Sequence, residues 1–88
     1  YFQKKVGRKM VNESINIRVI ANLERIMAKK NQLRKIQNKP RINRKDLDPR
    51  TNDCIYRLRN EINYPNLLTL IKWADALDVD IAELFKPL

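Results

Sequence analysis

The chain predicts an all-α fold: a compact bundle of about five helices. Three observations carry this. Apolar residues recur at three-to-four spacing in several segments, the period of a helix buried along one side. The chain has a single Gly, four Pro and no Val/Thr-rich alternating runs of the kind that mark strands. Leu, Ile, Ala, Lys, Arg and Asn dominate, a balance that favours helix. At 88 residues the chain is one small domain with a modest core. A hydrophobic content of 43% excludes wholesale disorder.

Residues 1–13 are set apart from the domain at 14–88. Tyr1-Phe2-Gln3 resembles the remnant of a cleavable purification tag, and 4–13 read as a basic N-terminal arm, with the natural start left open. The first helix starts near Ser14–Asn16, which can cap it, and runs to about Lys30. Ile17, Ile20, Leu23 and Met27 form its buried stripe, widened by Val19 and Ile26. Arg18, Asn22, Glu24, Arg25 and Lys29 fall mostly outside it. In the next stretch, Leu33 and Ile36 either extend the helix or form a separate turn. Lys39-Pro40 discourages continuation, so 31–43 reads as a basic connection.

Asn43 then caps a short helix, RKDL, with Leu47 inward and Pro49 limiting it. Thr51 caps a third helix, where Asp53 suits the positive end of the helix dipole. Ile55, Leu58 and Ile62 are its core contacts, and Tyr64-Pro65 breaks it. Asn66 precedes a fourth helix with a stripe of Leu67, Leu70, Ile71, Ala74 and Leu77. Asp78 stands where a left-handed residue ends a helix. Asp80-Ile-Ala-Glu83 is a capping-box pattern opening a last helix, in which Ile81, Leu84 and Phe85 can be buried.

The net charge of +9 is unevenly placed. Residues 1–28 carry +4, residues 29–59 carry +8 and residues 60–88 carry −3. A localised basic surface attracts polyanions by counterion release; the plain alternative is a solvated surface that maintains solubility. One Cys forms no internal disulfide, which points to a reducing, cytoplasmic setting. With no His and one Cys there is no zinc ligand set, and no cofactor motif is visible. Without His or a phosphate-cradling glycine loop, catalysis is not expected. No apolar run reaches the length of a membrane span and no secretory signal is visible. Cys54 reads as a small packing residue beside Ile55. Trp73 reads as core or as a dimer contact.

The segment PNLLTLIKWADALDVDIAELF resembles the closing segment of the phage-repressor and Cro-like (Xre class) helix-turn-helix family. That segment runs Pro-Ser-Leu, Thr-Leu, Ala-x-Ala-Leu-Gly-Val and Glu-Leu-Phe. Pro65, Leu67, Thr69, Leu70, Ala74, Ala76, Leu77, Val79, Glu83, Leu84 and Phe85 stand at matching positions. NLERIMAKKN is similar to the family's first helix, and IYRLRNEINYP to its recognition helix and following turn; together the match covers about half the chain. The chain departs from the pattern in three places. A longer basic stretch separates the first and third helices, Leu47-Asp48 replaces a Leu-Ala pair, and Glu61 stands where the family often has Gly.

The resemblance implies a lambda-repressor-like fold and a sequence-specific regulator of transcription, repressor-like and bacterial or phage-encoded. Its partners would be double-stranded DNA and a second copy of the chain; an antitoxin with a toxin partner is a related subtype. It further implies base contacts by Asn52, Asp53, Tyr56 and Arg57, with Thr51 meeting a phosphate. The residue chemistry fits: Asn pairs with adenine, Arg forks onto guanine, and Asp accepts from cytosine. Arg59, Asn60 and Asn63 are candidate phosphate partners, and Arg41, Arg44, Lys45 and Arg50 can fix position on the backbone without reading sequence. Duller roles stand beside these: Asn52 and Asp53 serving the helix start, Tyr56 at the core edge, and Arg44, Lys45 and Arg57 as solvated charge. Trp73, Phe85 and Leu88 are candidates for a dimer surface. A protein-interaction module and an RNA binder are the competing functions.

Overall fold

The computed structural model describes residues 14–88, so the tag remnant and basic arm lie outside the described residues. These residues form α1 (Ile15–Ile36), α2 (Arg44–Leu47), α3 (Thr51–Arg59) and α4 (Leu67–Leu77), closed by a 3-10 helix (Ile81–Phe85). The protein is all-helical: among the described residues there are four α-helices, and the fifth expected element is the tighter 3-10 form.

α1 begins where Ser14 Oγ accepts from the Ile17 N–H at 3.1 Å. It continues six residues past the expected end at Lys30. At 1.5 Å per residue its 22 residues span about 33 Å. Its inward stripe is Val19, Ile20, Leu23, Ile26 and Met27, all buried. Ile17, expected in that stripe, is 40% exposed, and Asn22, expected outside it, is buried. Beyond Met27 the helix outruns the core, and Leu33 and Ile36 are exposed. The returning chain holds that overhang instead. The Asn31 carboxamide donates to the Ile42 carbonyl at 3.0 Å and accepts from its N–H at 2.7 Å, and Arg34 Nε donates to the Pro40 carbonyl. Sequence periodicity cannot register such support, because it comes from polar side chains and a segment six to eleven residues away.

Three helix ends share one device. Asn38, Glu61 and Asp78 have φ of 59°, 57° and 56°, and each sits just past a helix. Behind them, Lys39 N–H reaches the Arg34 carbonyl (2.8 Å), Ile62 N–H the Arg57 carbonyl (2.9 Å) and Val79 N–H the Ala74 carbonyl (3.0 Å). These are the long closures of Schellman caps, which return orphan carbonyls to hydrogen bonding. None of the three is Gly, so each accepts a left-handed conformation that costs an L-residue roughly 1–2 kcal/mol, less for Asn and Asp.

α2 starts at Asn43, whose N–H donates to Asp46 Oδ2 at 2.8 Å, and it turns Leu47 into the core. The α2–α3 link is three residues, 48–50, tightened by the Arg50 N–H on Asp48 Oδ1 at 2.8 Å. Ile55 and Leu58 of α3 are buried, but Ile62 lies past the helix and is exposed. α4 starts at Asn66, whose Oδ1 accepts from the Leu68 and Thr69 N–H groups at 2.9 and 3.4 Å. Its buried stripe is Leu70, Trp73, Ala74 and Leu77; Leu67 and Ile71, expected there, are exposed. The shift follows from Trp73: a fully buried indole becomes the centre of the inward face and rolls the helix toward itself. Asp80 Oδ1 accepts from the Ala82 N–H at 2.9 Å to open the 3-10 helix, which buries Leu84 and half-buries Ile81 and Phe85. Asn22 ties this helix to α1, donating through Nδ2 to the Leu84 and Lys86 carbonyls at 3.0 and 2.9 Å.

Candidate nucleic-acid interface

α3 is fixed along its length and at both ends. Thr51, Ile55 and Leu58, at i, i+4 and i+7, point into the core. Thr51 corrects the sequence expectation twice. It is the first residue inside the helix, after Arg50 at the cap position, and it is buried with 0% exposure. Its hydroxyl donates to the Asp48 carbonyl at 2.7 Å and accepts from Trp73 Nε1 at 3.2 Å. That hydroxyl is therefore a structural pin and not a phosphate ligand. At the other end, Asn16 Nδ2 of α1 donates to the Leu58 and Asn63 carbonyls at 3.0 and 2.8 Å. Trp73 is wholly core, which removes it from the candidate dimer surface.

With one face pinned, the other is turned to solvent. At about 100° per residue, Asp53 and Asn60 lie opposite the core contacts, with Tyr56 and Arg57 on either flank. Asn52, Asp53, Tyr56, Arg57 and Asn60 are all exposed, and Tyr56 reaches 62%. The core-edge reading of Tyr56 thus loses to the outward one. Arg57 Nε and Asp53 Oδ2 pair at 3.1 Å, one turn apart. Exposed pairs of this kind add only about 0.3–0.5 kcal/mol, so the contact orients the guanidinium more than it stabilises the helix. Asn60 Nδ2 donates to the Tyr56 carbonyl at 2.8 Å, a helix-end role.

The basic candidates divide into held and unheld groups. Arg44 Nη2 pairs with Glu24 Oε2 at 2.7 Å, and its Nη1 donates to Asn52 Oδ1 at 3.2 Å. Arg59 Nη2 reaches the same Glu24 oxygen at 3.5 Å. Arg41, Lys45 and Arg50 are exposed and make no ion pair among the described residues. The Asn63 carbonyl is taken by Asn16, while the residue itself remains exposed.

Glu24, which joins α1 to both α2 and α3, escaped the sequence reading. A signal was available: none of Ile20, Ala21, Met27 and Ala28, its neighbours at three and four residues, is a cation. An acid without an intrahelical partner in so basic a chain draws one from elsewhere. Asn16 and Asn22 gave no such signal, because a buried Asn and an exposed one look alike in sequence.

Cys54 is half-buried against the core. Burial pushes its thiol pKa up, and the nearby Asp48 and Asp53 carboxylates add to the rise against an opposing pull from Arg50 and Arg57. No three potential metal ligands come together among the described residues, and no helix there is long and apolar enough to cross a membrane. No family model, curated protein or solved structure matches this chain.

Proposed function

We propose that this protein is a sequence-specific double-stranded-DNA-binding regulator of transcription, repressor-like and cytoplasmic. In this reading α2, the three-residue turn and α3 act as a helix-turn-helix, and α3 enters the major groove. The observation that carries it is the division of α3: anchored by Thr51, Ile55, Leu58 and the Asn16 bonds on one side, it leaves Asn52, Asp53, Tyr56 and Arg57 outward on the other. A major groove admits one helix, whose first turns meet base edges. Arg57, held by Asp53, would fork onto a guanine, and Asn52 would pair with adenine. Arg41, Arg44, Lys45, Arg50, Arg59, Asn60 and Asn63 would position the protein on phosphates. The chain would act as a homodimer on paired half-sites, using exposed apolar residues such as Leu68 and Leu88.

Selection from a random duplex library, followed by affinity measurements across salt concentrations, tests the proposal. The expected result is an enriched motif with two related half-sites and a steep salt slope. Arg57→Ala should relax preference at one base position and cost about 1–3 kcal/mol there, whereas Lys45→Ala should weaken all sequences alike. Tight binding to an acidic protein with no duplex preference would replace this reading with the interaction-module one. Preference for unpaired RNA, stacked on Tyr56 and Tyr64, would replace it with the third.

A further inference from the structure

The overhanging half of α1 does nothing for the core, yet it is held in place by Asn31 and Arg34. Together with the chain returning through 41–46 it walls an open cleft of about 930 Å³, which leads to Asn52 at the start of α3. Four cations line this cleft: Lys35, Arg41, Arg44 and Lys45. Its two acids are already engaged, Asp46 by the Asn43 N–H and Glu24 by Arg44 and Arg59. Lys35, Arg41 and Lys45 make no ion pair among the described residues. Three unpaired cations around one cleft, Lys35 on the α1 side and Arg41 and Lys45 on the other, raise the local potential toward anions. The Glu24 carboxylate occupies the remaining guanidinium.

We propose that this cleft is one phosphodiester-binding site, continuous with α3, in which Lys35 joins the phosphate contacts assigned above to Arg41, Arg44 and Lys45, and that Glu24 is a built-in counterion which an incoming phosphate displaces from Arg44. The inference rests on the DNA-binding reading and adds to it a strand-tracking wall, with Lys35 of α1 as a ligand well outside the α2–α3 unit. A phosphate suits the site because its oxygens can replace the Glu24 carboxylate on Arg44 with the same charge-assisted geometry. Because the phosphate must first displace Glu24, the pair costs some affinity, while Glu24 keeps the guanidinium oriented in the empty site.

The test compares the full chain with Glu24→Gln, with Lys35→Ala/Arg41→Ala, and with Lys29→Ala. Lys29 is an exposed α1 lysine that lines a separate depression with Leu33 and Glu83, so it controls for net charge. The probe is a 20-base-pair duplex carrying the selected motif, alongside a scrambled duplex. Glu24→Gln should tighten both by about fivefold at low salt, the scale of one exposed charge pair. Lys35→Ala/Arg41→Ala should flatten the salt slope by about 2, at roughly 0.9 per lost contact, with the motif preference unchanged. Lys29→Ala should leave the slope as it was. An unchanged slope in the double variant, or an equal change per charge in Lys29→Ala, overturns the cleft proposal while leaving DNA binding intact. No change or a loss of affinity in Glu24→Gln overturns the counterion role. Absence of duplex binding by the parent chain overturns this inference together with the proposed function, and is recognised by its appearing before any substitution is made.

Discussion

Removing the Thr51 hydroxyl isolates the pin beneath α3. In Thr51→Val the side-chain shape is kept, but Trp73 Nε1–H loses its acceptor at a fully buried position. An orphaned buried donor costs about 1–3 kcal/mol. The Asp48 carbonyl is not orphaned, since the Thr51 backbone N–H also donates to it at 3.0 Å. The added methyl returns about 0.8 kcal/mol of burial. The net loss is then about 1 kcal/mol, which lowers the melting temperature by about 4–8 °C in a domain this small. Because a cavity effect could give a similar figure, the informative measurement is a double-mutant cycle with Trp73→Phe, which removes the N–H. In that background Thr51→Val should be nearly neutral, giving a coupling energy of about 1 kcal/mol or more. Trp73 is the only Trp, so urea unfolding of all four proteins is followed by far-UV circular dichroism instead of fluorescence. A Thr51→Val cost that is the same with Trp or Phe at position 73 would refute the reasoning.

Two further outcomes follow from local geometry. Glu61→Gly should stabilise the fold by about 0.5 kcal/mol: it relieves the left-handed cost but adds freedom to the unfolded chain and loses the exposed 3.3 Å contact with Ser14. Asn38→Gly should change little, because Asn tolerates that conformation; thermal unfolding that ranks the two in the opposite order contradicts the account. Cys54 should be alkylated by iodoacetamide more slowly at pH 8 than a small free thiol, since burial favours the protonated form. The linked stability has a definite sign: with the folded pKa above the unfolded one, this contribution is complete below about pH 8.5 and is lost as pH rises beyond it. A rate profile matching that of the free thiol would contradict this.

The sequence by itself determined what depends on neighbours along the chain. Helical periodicity placed most of the buried faces, and short polar residues announced the starts at Ser14, Asn43, Asn66 and Asp80. The left-handed stop at Asp78 and the outward set Asn52, Asp53, Tyr56 and Arg57 were equally legible, because burying Ile55 and Leu58 fixes where residues at other angles must point. Only the tertiary structure decided which polar groups go inside. Thr51 looked like a cap and became a buried pin because an indole N–H arrived from α4. Asn16 looked like a helix cap and Asn22 like a residue outside the buried stripe, and both became clamps because carbonyls at 58, 63, 84 and 86 came within reach. The end of α1 moved for the same reason, since Asn31 and Arg34 found their partners across a turn. A side chain's own chemistry states what it can bond; what it does bond depends on a partner delivered by another segment, and no local pattern encodes that arrival.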